Sequence, residues 1–302
     1  MGRFGLGAGG ATVTVGSFDG VHLAHRAVLD ETVRRAALAG RASVLVTFEP
    51  HPLEVVRPDR APALLSTAPE RRAALAETAV EHALVVRFDR EVAALPPERF
   101  VREILVRRAG MRELVIGYDH GLGRDRSGGV EQLTRLGAQD GFDVVVVPPV
   151  QLDGVAVSSS RIRHAVAQGD LGLAARMLGR PYRISGPVVP GDGRGRQLGV
   201  RTINLEVPPR KLLPPDGVYA VRVEHRDGVS GGMLNQGPRP TFGDGRRLLE
   251  AHLFGASRDL YGEWVRIEWV ARLRDIQRFG SPEELAAQLE RDRVAAHAAL
   301  GG

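Results

Sequence analysis

The chain contains no cysteine, a single lysine, few aromatic side chains and no apolar run long enough to cross a bilayer. Without cysteine there is no disulfide framework, no thiol nucleophile and no cysteine-ligated zinc. Aromatics make up 5% of the residues, which leaves little to interleave with basic side chains on a surface that stacks nucleobases. No stretch approaches the roughly 18 apolar residues of a membrane span. The opening MGRFGLGAGG lacks the apolar core and cleavage pattern of a secretory signal. The expected location is therefore cytoplasmic. The lone lysine, Lys211, excludes the most: neither GxxxxGK[ST] nor the paired-lysine signature of a tRNA synthetase can be built around it. Any phosphate chemistry must rest on arginine, histidine, backbone amides and metal.

What is present is positive charge of another kind. The formal net charge is +5, carried almost wholly by arginine. It suits an anionic partner, nucleotide or nucleic acid, although a biased codon supply would produce the same composition. At 302 residues and 43% hydrophobic content the chain can bury two cores, on a prior of roughly 100–200 residues per domain.

In the first half the apolar runs ATVTVG, SVLVTF, ALVVRF, ELVIGYD and DVVVVPPV alternate with helix-period segments such as RAVLDETVRRAALA and PERRAALAETAV. Runs of β-branched residues without clean alternation read as strands buried on both faces, the pattern of a parallel sheet wrapped by helices. After Tyr182 the pattern changes. In WVRIEWVARL, Val265, Ile267 and Trp269 face one way and Arg266 and Glu268 the other, and VYAVRVEHRDG alternates into a turn at Asp227-Gly228. Half-buried antiparallel strands with frequent turns point to a compact barrel or sandwich. The ending SPEELAAQLERDRVAA predicts a terminal helix, capped by Ser281 with Pro282 at its first position and Glu284 completing a capping box, that packs Leu285 and Leu289 onto the barrel.

Between the first strand and first helix lies VGSFDGVHLAH, Val15 to His25. If FDGV is the loop leaving the strand, His22 stands at the helix start and His25 one turn on. Amides and the dipole of that helix end favour an anion, and two imidazoles on one face add donors. A metal site would need a third ligand that the spacing does not supply, and taken alone the pair is as readily an incidental helix start. Likewise SSSRIR alone reads as a helix N-cap followed by exposed arginine, Asp119 as a strand-end turn residue, and Glu250 as a solvated strand residue.

Taken together, the motifs carry more. The string resembles GxFDGxHxGH, the opening motif of the flavin branch of the nucleotidyltransferases: Gly16, Phe18, Asp19, Gly20, His22 and His25 match, and Ala24 stands where that family has glycine. TFEPHP (Thr47 to Pro52), GYDHGLGRDRSG (Gly117 to Gly128) and VSSSRIR (Val157 to Arg163) resemble its next three motifs in order, with His120, Gly121 and Leu122 departing from a Phe-rich loop. Further on, GPVVPGDGRGRQLGVRTINL, LPPDGVYA, NQGPRPTFG and LEAHLFGASRDLYG resemble the riboflavin kinase module, with Val200 and Arg201 where Phe-Pro is common. The chain thus resembles the bacterial bifunctional riboflavin kinase and FAD synthetase family from Ala11 to about Arg278.

That resemblance implies an α/β Rossmann-like nucleotidyltransferase domain over 1–180, a parallel sheet with helices on both faces. An antiparallel β-barrel riboflavin kinase domain with a C-terminal helix follows over 181–302. It implies two reactions, phosphorylation of riboflavin to FMN and adenylylation of FMN to FAD, with ATP as co-substrate and Mg²⁺ as the metal. For adenylylation the family assigns ATP and phosphate binding to Gly16, Phe18, Asp19, His22, His25, Asp119, Ser159, Ser160, Arg161 and Arg163, with His22, His25 and Arg161 catalytic. For the kinase it assigns Gly191, Gly193, Gly195 and Arg196 to the nucleotide, Thr202 and Asn204 to phosphates and metal, and Glu250 to the base. Small molecules, riboflavin, FMN and ATP, are the expected partners, with neither nucleic acid nor membrane. Two other readings stay open: an enzyme that retains one of the two activities, and an arginine-rich RNA-binding protein using the barrel.

Overall fold

The computed structural model describes residues 9–123, 128–191, 202–237, 248–255 and 260–301. The chain divides into two compact units, Met1–Ser159 and Ser160–Gly302.

The first unit is built on five parallel strands, β1 (Ala11–Val15), β2 (Ala42–Glu49), β3 (His82–Arg87), β4 (Met111–Gly117) and β5 (Asp143–Val147), in the order β3-β2-β1-β4-β5. These are the five runs picked out by their β-branched residues, and the central ones are buried on both faces: all of β1 is buried, as is β2 from Val44 to Phe48. Helices cover both faces. α1 (Leu23–Leu38) lies over β1, β2 and β4; with α3 (Ala68–Ala76) it closes a cluster of Phe18, Val21, Leu29, Leu45, Ala74 and Leu75. The other face packs Val13, Val44 and Leu114 against Phe100, Ile104 and Leu133. The remaining helical elements are α2 (Pro52–Val56), α4 (Arg90–Ala93), α5 (Pro97–Phe100) leading into a π-helical turn over Val101–Val106, and α6 (Val130–Asp140). The two-residue strands β6 (Gln151–Leu152) and β7 (Val155–Ala156) pair around Asp153 and Gly154, both at positive φ as a tight hairpin turn requires.

Topology decides where the site falls. From β1 the chain winds one way through β2 to β3, then returns to lay β4 on the other side of β1. The loops leaving the carboxyl ends of β1 and β4 are thus neighbours at the switch point of the sheet, where open α/β sheets bind ligands.

Helix α7 (Ser159–Ala167) starts at the last residue of the first unit; the second unit carries the rest of it and α8 (Leu171–Leu178) and continues into a closed antiparallel barrel. Its strands are β8 (Arg183–Val189), β9 (Thr202–Glu206), β10 (Gly217–His225), β11 (Gly228–Gln236), β12 (Leu248–Leu253) and β13 (Trp264–Arg274), ordered β10-β11-β12-β9-β8-β13. Alternation sorts the faces: Val265, Ile267 and Trp269 are buried together with Val221, Val223 and Leu205. Lys211, the one lysine, is itself buried. Its ammonium donates to the Arg183 carbonyl at 2.7 Å and lies 4.7 Å from the Tyr182 ring centroid, so it fastens strand to loop.

The terminal helix α9 (Pro282–Leu300) forms as the sequence predicts, but its anchor differs. Leu285 and Leu289 are half-buried, whereas Asp292 and Ala296 are the buried residues. Asp292 accepts Nε and a terminal nitrogen of Arg274 on β13 at 2.7–3.0 Å, and this pairing lets a carboxylate replace an apolar anchor. Ser281 caps through its hydroxyl, but Glu284 reaches back to the Gly280 amide, one residue beyond the expected capping-box partner.

Candidate active sites

In the first unit the FDG loop turns the chain sharply between β1 and α1. Phe18, Gly20 and Val21 all have positive φ, at 50°, 86° and 42°. For Val21 this is a costly conformation, since its branched Cβ crowds the backbone there. Gly16 makes room for the turn: a Cβ on it would stand 3.1 Å from the Phe18 ring. The loop delivers His22 to the N-cap of α1, where its Nδ1 accepts the His25 amide at 3.3 Å. Nδ1 is thereby the acceptor, so the neutral His22 ring carries its proton on Nε2. His25 stacks on it with ring centroids 3.6 Å apart, and Phe18 lies 5.1 Å from His25 on the other side. Two imidazoles and the open amides of a helix start form a cluster able to donate to an anion.

Asp19 is tied into the loop. It is 1% exposed, and its carboxylate accepts the Leu65 amide at 3.0 Å, the Ser66 amide at 2.8 Å and the Ser66 hydroxyl at 3.0 Å. Ser66 Oγ in turn accepts the Gly20 amide at 2.9 Å. Nearby Arg71, on α3, is buried and donates to the Phe48 carbonyl at 2.8 Å. Burial lowers its pKa, opposed by the charges of Asp19 and Glu49. Neither Ser66 nor Arg71 carries a local sequence signal.

Asp119 lies exposed just past the end of β4, on the loop beside β1 at the switch point. Ser159, the last residue of the first unit, donates from its hydroxyl to the Asp19 carbonyl at 3.1 Å. Ser160, Arg161 and Arg163 follow in the first turns of α7, on the far side of the division between units. The TFEPHP segment ends β2 and starts α2, with His51 as N-cap accepting the Leu53 amide.

In the second unit the site residues are matched by strand register. Asn204 on β9 pairs with Glu250 on β12, which pairs on its other side with Asn235 on β11. Thr202, two residues before Asn204 and hence on the same face, pairs with His252. These alternate with buried Ile203, Leu205, Leu249 and Ala251, so an oxygen-rich row runs across one face of the sheet. Gly191 closes over its end: a Cβ there would stand 2.0 Å from the Asn204 side-chain amide nitrogen. His252 is half-buried, and burial, then the Arg293 charge, hold its pKa below the usual imidazole value. Gly193, Gly195 and Arg196 lie outside the described residues, as do Val200 and Arg201.

Comparison with known proteins covers both units. The FAD synthetase family model matches residues 7–161, and the riboflavin kinase family model matches residues 178–300. A bifunctional riboflavin kinase/FMN adenylyltransferase of Escherichia coli K12 is 38% identical over 293 residues, 97% of this chain and 93% of that protein. One from Pseudomonas fluorescens is 40% identical over 291 residues, 96% of this chain and 93% of that protein. Among solved structures, a Streptococcus pneumoniae protein titled a macrolide-efflux protein superposes with a TM-score of 0.84 at 30% identity, covering 97% of this chain and 96% of that one. Among the described residues of this chain, no helix is long and apolar enough to cross a membrane.

Proposed function

The chain belongs to the bifunctional riboflavin kinase/FMN adenylyltransferase family, and from that premise we propose that the helix start at His22 serves adenylyl transfer while Glu250 serves the kinase step. The enzyme is a kinase and a nucleotidyltransferase, forming FMN from riboflavin and FAD from FMN. We take the boundary between the modules at residue 180, close to where the riboflavin kinase match begins.

In adenylyl transfer the FMN phosphate is itself the nucleophile. One of its oxygens bonds to the α-phosphorus of ATP as the bond from that phosphorus to the bridging oxygen breaks, and pyrophosphate leaves. The protein therefore positions and neutralises, without a covalent intermediate. His22 through Nε2–H, His25, and the amides of the α1 start hold the triphosphate. Ser159, Ser160, Arg161 and Arg163 supply hydroxyls and guanidinium forks from the α7 start. Gly16 and Phe18 shape the loop, and Asp119 lines the pocket.

In the kinase step the ribityl hydroxyl bonds to the γ-phosphorus of ATP, its proton passes to the Glu250 carboxylate, and ADP leaves. The observation that carries this reading is the strand pairing of Glu250 with Asn204, with Thr202 two residues before Asn204. Thr202 hydroxyl and Asn204 amide oxygens are the hard donors that Mg²⁺ prefers, and the lack of a Cβ at Gly191 lets its backbone lie against the Asn204 side chain. Bound there, Mg²⁺ would offset phosphate charge. Gly191, Gly193, Gly195 and Arg196 would bring backbone amides and a cation to the nucleotide. The substrates are small molecules of the cytoplasm. Incubation with riboflavin, ATP and Mg²⁺, followed by separation of the flavins, should yield both FMN and FAD; riboflavin alone from folded protein would overturn the reading.

A further inference from the structure

The strained FDG loop raises the question of what holds it. Positive φ at Phe18 and Val21 persists only where surrounding structure over-determines it. Part of the answer is packing, since Phe18 and Val21 are buried against Leu29, Leu45 and Ala74. Part of the polar support comes from one hydroxyl. Ser66 Oγ gives its only proton to Asp19 and accepts the amide of Gly20, while the Ser66 amide also donates to Asp19. A single side chain from a segment 46 residues away from Gly20 thus holds two consecutive residues of the loop, the Asp19 carboxylate and the Gly20 amide, immediately before the Val21-His22 step. All of this is dry: Ser66 is 5% exposed and Asp19 1%. Next in the chain, Thr67 caps α3 through a capping box with Glu70. The brace is therefore anchored to a helix, and the same helix sends Arg71 to the end of β2.

From this we infer that Ser66 is a positioning residue for adenylyl transfer: its hydroxyl sets the angle at which the FDG loop presents His22 and His25. The inference rests on the proposed role of those histidines. Ser66 touches no substrate in this account. It acts by fixing Asp19 and Gly20, and Asp19 accordingly works as an internal acceptor of the loop, held by Leu65 and Ser66 donors. Misplacement of a catalytic group by about an ångström costs up to roughly 100-fold in rate, and a buried amide left without its acceptor drives the loop to rearrange.

The test compares Ser66→Ala and Ser66→Thr with the unaltered enzyme, measuring kcat and KM for FMN and ATP in FAD formation and, on the same samples, kcat for FMN formation from riboflavin. Ser66→Ala should lower the adenylylation kcat about 10- to 100-fold, with a smaller change in KM and an unchanged kinase kcat. Ser66→Thr, which keeps the hydroxyl, should restore most of the loss. Full adenylylation activity in Ser66→Ala would overturn the inference, as would equal impairment of both variants. Parallel loss of both reactions would overturn it too, as general misfolding. If the unaltered enzyme forms FMN but no FAD, the adenylylation reading fails instead, which is a different outcome.

Discussion

The two units place their chemistry by different means. In the first, the imidazoles stand on a helix start reached through a strained loop, and the loop's shape depends on Asp19, Ser66 and packing from α3. In the second, Asn204, Glu250 and Asn235 are aligned by the backbone ladder of three adjacent strands. Register is a property of the whole sheet, because slipping it by one residue would turn every buried side chain outward. A loop has no such redundancy. The barrel row should therefore be sensitive mainly to the groups it displays, and the loop also to groups remote from it in sequence.

The largest effect expected on this contrast comes from Glu250→Gln. With the strand pairing kept and the base removed, FMN formation should fall by about 10²- to 10⁴-fold, while FAD formation from supplied FMN stays at its original rate. The two rates, measured separately on one preparation, check it. A fall in both would mean that the sites do not work independently.

Next in size is a stability effect confined to the barrel unit. Arg274 and Asp292 are 16% and 4% exposed in their side chains, and their pairing fixes α9. Asp292→Ala strands the guanidinium and should cost about 3–5 kcal/mol. Heated aliquots assayed for each reaction should lose kinase activity at a lower temperature than the unaltered enzyme, with the temperature dependence of adenylylation preserved. Smaller again is Gly191→Ala, whose new Cβ must displace the Asn204 side chain. Kinase kcat should drop by about 10-fold or more, and titration with Mg²⁺ should reach half-maximal activity at a higher concentration than in the unaltered enzyme.

The same contrast explains what could be read from the residues alone. Strands announce themselves by composition and period, so the five runs of the wound sheet and the inward Val265, Ile267 and Trp269 were legible. His22 and His25 were legible as a helix start because loop and helix are contiguous. Ser66 was not, since its bonds to Asp19 span 47 residues and leave no local pattern. The α9 anchor misled for a related reason: apolar spacing pointed to Leu285 and Leu289, but a carboxylate can occupy a buried position once Arg274 meets it. Nor does sequence say that Asn235 falls beside Glu250, which only the β11–β12 register determines.

The smallest effect sharpens the contrast most, because His22 has two duties that can be separated. Its Nδ1 caps α1, and its Nε2–H is the donor proposed for phosphate. Alanine removes both functions and should cost about 0.5–2 kcal/mol of stability through the lost cap. Asparagine caps well and cannot replace the imidazole donor. His22→Asn should therefore melt close to the unaltered enzyme and above His22→Ala, while both lose adenylylation to the same degree and keep the kinase reaction. If His22→Asn retained adenylylation, the imidazole would matter only as a cap. The phosphate donors of the first site would then be His25, the α1 amides and the groups of the α7 start.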